Sequence, residues 1–369
     1  MRRTSHGGRP LPSDALALSR HIAWQRHLAW IALAAVLLVA TDLGARVLAT
    51  NDDARFPLLG EDILRQGHWL WPELNGVVYH NKPPLLAWLI ALASWSIGHV
   101  TPMTAALPSA AAGIATVLIV YGLGRDLFGA DAGRLAALVA MTTQGVFLHA
   151  RLPLPDMLMT CFITASMWML LQIRRGRRGP WWTGFYGLAG AAFWAKGPAG
   201  LLPLAVAIVY AVATRSERRW SPRLPSGLAL VGGLVGLWCL VGTISDGSAV
   251  GQAIITDHLL WYRPALPTVD TLTAPLRHTL SVLFPWVIVA PFAITHAAQV
   301  LRGRGSERDA GRVLLVRVAV TLALVGLSHQ QRVRYYVPTT RSSIRCGPWW
   351  RSWAWHSSRC AGYSRVPGP

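Results

Sequence analysis

Ten predominantly apolar runs punctuate this chain, near residues 28–49, 85–100, 104–124, 133–149, 157–173, 181–195, 199–214, 226–244, 279–298 and 313–328. A helix needs about 20 such residues to cross the hydrocarbon layer, and fewer where the bilayer thins or the helix packs on neighbours. Apolar residues in runs, rather than alternating along a surface, predict an all-α polytopic membrane protein. Charged residues make up 14% of the chain, against about 25% in soluble domains. A soluble enzyme, a secreted disulfide scaffold and a disordered tail are excluded on that ground. Cys161 and Cys239 lie inside apolar runs and read as small hydrophobes. No CxxC or metal-ligand spacing joins the four cysteines.

The chain carries 35 basic and 16 acidic residues, a formal charge of +19. That excess alone would suit nucleic acid, but its placement does not. The basic residues cluster between apolar runs, as cytoplasmic loops do. Arg2, Arg3, Arg9, Arg20 and Arg26 precede the first run, which reads as a retained signal anchor with a cytoplasmic N-terminus. Arg174, Arg175, Arg177 and Arg178 mark one inner loop, Arg215, Arg218, Arg219 and Arg223 a second, and Arg302, Arg304, Arg308 and Arg312 a third. Outer segments then fall at 50–84, 150–156, 196–198, 245–278 and 329–335. Parity requires one run between the first outer loop and Asp156 not to cross. Residues 85–100, flanked by Pro83, Pro84, His99 and Pro102, are the natural choice. The expectation is about nine full crossings and one partial or interfacial helix in the plasma (inner) membrane, with any active face extracytoplasmic.

The outer loop at 50–84 is the most informative stretch. Asp52 and Asp53 stand just beyond the first run, and an amphipathic segment with Phe56, Leu59, Ile63 and Leu64 follows. Trp69 and Trp71 suit an interface, and Tyr79, His80, Asn81 and Lys82 precede a double proline. A carboxylate at a membrane surface with cations about thirty positions on suits chemistry on a phosphate-linked lipid. The carboxylate deprotonates or orients an acceptor, and Lys82 neutralises the phosphate that leaves. A plainer reading coexists with this one: Asn51, Asp52 and Asp53 cap the amphipathic helix and favour its dipole.

The residues Asp52-Asp53-Ala54-Arg55, Gly67-His68-Trp69, Pro72, Leu74-Asn75-Gly76, Tyr79 and Lys82-Pro83-Pro84-Leu85 together resemble a known signature. So do Arg151-Leu152-Pro153-Leu154-Pro155-Asp156-Met157, Lys196-Gly197-Pro198, and the stretch Ser328–Pro338 with Arg332, Arg334, Tyr335 and Tyr336. The pattern is similar to the protein mannosyltransferase and aminoarabinose transferase group of the glycosyltransferase C superfamily, over roughly residues 28–338. That resemblance implies a membrane glycosyltransferase taking a sugar from a polyprenyl phosphate, with inversion, and giving it to lipid A, protein or another glycan. It implies Asp52 as the catalytic carboxylate, supported by Asp53 and Arg55. It implies that Lys82 and an arginine at Arg332 or Arg334, beside Tyr335, bind the lipid phosphate. Asp156 and Lys196 fall on the substrate side. Taken alone, Asp156 reads as a helix N-cap and Lys196 as an interfacial lysine that snorkels. No cofactor is indicated with certainty. A divalent cation and its ligands are left open, and no nucleic acid is expected beside the membrane lipids. Asp53 stands where the group usually has Glu, Phe56 where it has Tyr, and Asn81 where an acidic residue is frequent. Pro57 is expected to kink or shorten a helix that is usually uninterrupted.

Other signals carry less. Gly122-Leu123-Gly124 with Gly129 follows an apolar span, so it reads as helix packing rather than a phosphate loop. His68, His80, His258 and His329 read as solvated interfacial residues rather than metal ligands. From Arg341 to Pro369 there is no Leu, Lys or acidic residue, while four Trp and five Arg crowd in, as in translation out of frame. The expected organisation is a basic tail at 1–27, a transferase domain at 28–338 and an aberrant tail at 339–369. The rival classes are a transporter or lipid flippase, which predicts ionisable groups in mid-membrane, and an inactive remnant of the transferase.

Overall fold

A computed structural model of the chain describes residues 13–45, 48, 51–214, 224–246, 251–252, 255–256, 260, 268–303, 306–326 and 333–337. The architecture is that of an all-α polytopic membrane protein. Among the described residues, three helices are long and apolar enough to cross a membrane, or four if a bent pair counts as one span.

The bundle centres on α4 (Pro102–Phe128), α7 (Pro155–Arg174) and α8 (Pro180–Lys196). Each begins with a proline in its first turn, where the missing N–H costs nothing. Thr101 closes the start of α4 through a reciprocal capping box with Thr104. Small residues let the helices approach. A methyl on Gly113 would sit 2.5 Å from Cβ of Ala150, and one on Gly122 would meet the Trp168 ring at 3.2 Å. Gly124 lies against Gly133 of α5 (Ala130–Met141) in the same way. Gly122 and Gly124 are therefore packing residues, while Gly129, with φ of 93° and open space around it, makes the turn between helices. At the basic end, Asp126 accepts from Trp168 Nε1 at 3.1 Å and Gln172 Nε2 at 2.8 Å, tying α4 to α7. Exposed Val212 on α9 (Leu202–Thr214) and Ile244 on α10 (Leu224–Asp246) leave an apolar outer face suited to lipid.

Three apolar runs behave differently from their hydropathy. The first belongs to α1 (Ser13–Ala40), which ends well before residue 49. The run at 133–149 breaks into α5 and α6 (Gln144–His149), at a point where the hydroxyls of Thr142 and Thr143 bond back to the carbonyls of Leu138 and Val139. The run at 279–298 is not a straight crossing. It starts inside α11 (Val269–Leu283), bends by 110° at Phe284-Pro285, and continues through a 3-10 turn into α12 (Ala290–Arg302). Pro285 has no N–H to continue a helix. The two breaks touch: Trp286 Nε1 donates to Thr142 Oγ1 at 3.0 Å, and Gln144 N to Phe284 O at 3.3 Å. Beyond them α13 (Ser306–Gly326) reaches α7 through Arg317, which donates to Thr164 Oγ1 at 3.3 Å.

The loop at 50–84 forms a small unit of its own. It comprises α2 (Asn51–Gln66), a hairpin of β1 (Glu73–Leu74) and β2 (Val77–Val78), and then α3 (Leu85–Ser94). The hairpin is a minor exception to the all-α expectation. Asn75 and Gly76 both have positive φ, 55° and 76°, as a tight two-residue hairpin turn requires. Phe56, Leu59 and Ile63 of α2 pack on Leu86, Ala87, Ile90 and Ala91 of α3. Burial of each of the larger side chains, Phe56, Leu59, Ile63, Leu86 and Ile90, is worth roughly 1.5–3 kcal/mol. Pro57 stands inside α2, which continues for nine residues beyond it. Its cost is local: the Asp53 carbonyl has no amide at position 57 to accept from. With 10 residues, α3 is long enough for about half of a bilayer core.

Glu61 pins this unit to the bundle by accepting from Val100 N at 2.6 Å and pairing with Arg65. Burial raises its pKa, but these bonds outweigh burial and hold it below the usual glutamate value. A depressed folded-state pKa stabilises above the unfolded value and is lost as pH falls through the folded one. Thermal melts of wild type and Glu61→Gln should therefore differ at pH 7 and converge as the pH drops below the ordinary glutamate range.

Candidate active site

The N-terminal end of α7 and the C-terminal end of α8 hold an ion pair. Asp156, in the first turn of α7, is 1% exposed, and Lys196, the last residue of α8, is 8% exposed. Lys196 Nζ bonds Asp156 Oδ1. Each residue departs from its local reading. The α7 N-cap is Leu154, with no side-chain cap bond, so Asp156 is not a cap. Lys196 is turned into protein rather than toward an interface. The sequence Lys196-Gly197-Pro198 explains how. Gly197, with φ of 89°, stops α8, and Pro198 starts a 3-10 turn. Gly200 lies so close to α8 that an added methyl would meet the Ala192 carbonyl carbon at 2.1 Å. Only a reversal this tight keeps the lysine beside α7.

Asp156 feels Lys196 most strongly, then His149 and Arg334. His149 ends α6, is 9% exposed and bonds Gly145 O at 2.8 Å through Nδ1. Arg334 comes from a 3-10 turn, Val333–Tyr336, whose Tyr336 is fully buried with its ring 5.5 Å from that of His278 on α11. Four separated stretches thus converge on one buried charged cluster. Asp156, Lys196 and Arg334 are brought together as the motifs suggest. His149 and His278 were not singled out, and no local pattern marks them. Arg332 lies outside the described residues, as does the side chain of Tyr335.

The second part of the site is the start of α2. Asp52 occupies its first turn, with a side chain outside the described residues. Asp53 is half-buried and lines a cavity of about 250 Å³ with Leu43, Leu48, Pro102, Ala106, Arg151, Leu152 and Pro153. That cavity joins Asp53 to the linker that enters α7, three residues before Asp156. Arg55 places its guanidinium 5.9 Å from the Tyr79 ring centre, and Tyr79 meets Phe56 edge-on at 6.4 Å. Lys82 is half-buried and leads into the buried Pro83-Pro84. His80 is 7% exposed against Trp71, at 4.9 Å, so the solvated reading fails for it. His68 bonds Asp62 at 3.1 Å, while His258 and His329 lie outside the described residues. Among the described residues, no three His, Cys, Asp or Glu side chains converge as a metal site would need.

Residues 81–250 match the family model of dolichyl-phosphate-mannose-protein mannosyltransferases. The undecaprenyl phosphate-alpha-4-amino-4-deoxy-L-arabinose arabinosyl transferase of Pectobacterium carotovorum (strain PC1) is 24% identical over 82% of this chain and 55% of its own length. Its counterpart in Pseudomonas fluorescens (strain Pf-5) is 27% identical over 78% and 52%. ArnT from Cupriavidus metallidurans, solved bound to undecaprenyl phosphate, superposes with a TM-score of 0.73 at 19% identity, over 84% of this chain and 57% of that one. The chain is thus similar to protein mannosyltransferases and aminoarabinose transferases in sequence, and to ArnT in fold. It spans about half the length of the curated relatives it matches. The family match begins at Asn81, one residue before Lys82, and takes in both Asp156 and Lys196. The carboxylates of α2 precede the matched segment.

Proposed function

We propose that this chain transfers a sugar from a polyprenyl-phosphate donor to an acceptor at the extracytoplasmic face of the inner membrane, inverting the anomeric centre. The acceptor is lipid A, protein or another glycan, and residues 28–338 form the transferase unit. The observation that carries the reading is the convergence of motif residues. Asp53 and the α7 linker share one cavity, and Asp156, Lys196 and Arg334 share one buried cluster. Relatives named for undecaprenyl-phosphate-linked sugar transfer lend the donor class.

In this scheme the acceptor oxygen attacks the anomeric carbon as the bond to the carrier phosphate breaks. Asp52 takes the proton of a hydroxyl acceptor or, for a phosphate acceptor, positions it and balances the positive charge growing on the ring. Arg55, held over Tyr79, orients the carboxylates, with Asp53 beside them. Lys82 and Arg334, with Arg332 and Tyr335 nearby in sequence, receive the departing phosphate. Asp156 and Lys196 fix the floor of the substrate side. The basic loops lie in the cytosol, and about nine crossings plus the half-depth α3 account for that sidedness.

Reporter fusions across the chain test the arrangement. Fusions within 50–84 should report the extracytoplasmic side and fusions at 175–179 the cytosol. Membranes given a sugar-labelled polyprenyl phosphate should pass the label to an acceptor. A cytosolic 50–84 loop would overturn the proposal.

A further inference from the structure

Arg317 interrupts the apolar run of α13 and is a cation that the proposed reaction does not use. Its Nη2 donates at 3.3 Å to the hydroxyl of Thr164, which stands half-way along α7. The guanidinium therefore lies near the mid-plane of the bundle. An arginine at that depth is expensive in lipid, and such residues mark the paths of ions and headgroups. Arg317 lines a groove of about 340 Å³ between α4, α5, α7 and α13. At one end the walls are Leu127, Phe128 and Ala132, beside the basic end of α4, and Phe128 is 42% exposed. At the other end are Thr160 and Val337. Thr160 donates to the Asp156 carbonyl at 2.8 Å, and Val337 follows the turn that carries Arg334. Along α4 the groove extends from Thr116 to Phe128, about 18 Å of helix and more than half of a bilayer core. It thus runs from the basic ends of the helices to the underside of the buried charged cluster. Its walls are apolar except for Arg317 and the hydroxyls of Thr116, Thr160 and Thr164.

We propose that the groove is a passage for phosphate headgroups, and that the chain has a second activity: passive return of the spent polyprenyl phosphate to the cytoplasmic leaflet. The inference rests on the donor class and the sidedness proposed above. Each round of transfer leaves one carrier phosphate at the outer face. A phosphate does not cross bare hydrocarbon, because nothing there replaces the hydrogen bonds of water. In the groove they are replaced in steps. The path starts beside Arg334, which receives the departing phosphate in the proposed reaction. Half-way along, the Arg317 guanidinium matches a phosphate through parallel N–H bonds. The hydroxyls of Thr116 and Thr160, which rest on the carbonyls of Ala112 and Asp156, rotate to donate as the headgroup passes. The arginines of the inner loops receive it at the exit, while the isoprenoid tail trails in lipid. No bond is made or broken, and no energy source is needed, since transfer itself enriches the outer leaflet in spent carrier.

The test uses the full chain in sealed vesicles that hold undecaprenyl phosphate, radiolabelled in its phosphate, in both leaflets. A phosphatase is added outside. Protein-free vesicles should release about half of the label and stop, the inner pool being out of reach. Wild type should carry release to near completion. Arg317→Met should slow the second half roughly tenfold or more, with Arg317→Lys between them. Because Arg317 also ties α13 to α7, Val318→Trp provides a second test. It fills the groove without removing the arginine, and should slow the second half while sparing the melting temperature. Sugar transfer and retention of a trapped dye should stay near wild type in all three variants. Release that halts at half in wild type, an unchanged rate in Arg317→Met, or release that comes with escape of the dye would overturn the passage. So would loss of sugar transfer in Arg317→Met, which would assign the arginine to the reaction. Wild type that empties both leaflets yet transfers no sugar would instead remove the reaction and leave the passage standing.

Discussion

Asp52→Asn should lower sugar transfer by about a thousandfold or more, the range expected when a general base and its charge are removed together. The amide has the shape of the carboxylate and keeps its hydrogen-bonding capacity at the start of α2. It cannot take a proton at neutral pH, and it supplies no negative charge to a sugar ring turning cationic. Melting temperature and affinity for undecaprenyl phosphate should therefore stay near wild type while turnover collapses. Label transfer in membranes, run beside a binding measurement on purified protein, separates the two. Asp53→Asn is the necessary control, because Asp53 is the neighbour that faces the cavity. A collapse in Asp53→Asn with normal turnover in Asp52→Asn would move the catalytic role one residue along.

Lys196→Met carries the largest expected effect on stability. Removing one partner of a buried pair costs about 3–5 kcal/mol, less here by whatever Arg334 and His149 still offset at Asp156. Asp156 is almost wholly enclosed, so water cannot reach in to relieve it. The double variant Asp156→Leu with Lys196→Met should recover most of that loss, since apolar replacements of buried pairs are often neutral or better. It should not recover transfer. Melting in detergent and label transfer on the same three preparations give the answer. A Lys196→Met protein as stable as wild type would mean that the pair is not buried in the membrane-embedded molecule.

Helices α4, α7, α8 and α10 were legible because each is an unbroken apolar run with a proline in its first turns or a glycine at its end. Hydropathy carries no direction, however, so the run at 279–298 looks like one crossing although Pro285 turns it through 110°. The split between α5 and α6 was hidden likewise, since Thr142 and Thr143 barely dent the hydropathy of the run. The hairpin does carry a local mark, since Asn75-Gly76 between short apolar stretches is a strong turn signal. Lys196 shows the opposite limit. Its partner lies 40 residues back on another helix, and no local pattern reveals that pairing. Arg151 stood inside a quoted motif without a role, because only the fold shows what its guanidinium faces. The roles of Asp52, Lys82 and Arg334 came from resemblance, and residue spacing alone would have left helix capping as an equal reading.

In the proposed arrangement helix α3, long enough for about half of the layer, lies beneath α2, which it packs against and which bears the carboxylates. A reaction centre carried at that height leaves an isoprenoid carrier no reason to lift its tail into water. Encounter then becomes a search in two dimensions, and turnover at low donor should follow the carrier's mole fraction in the leaflet rather than its amount per volume of suspension. Diluting the same vesicle preparation with buffer would leave the rate per protein unchanged, whereas diluting it with plain phospholipid before reconstitution would slow it.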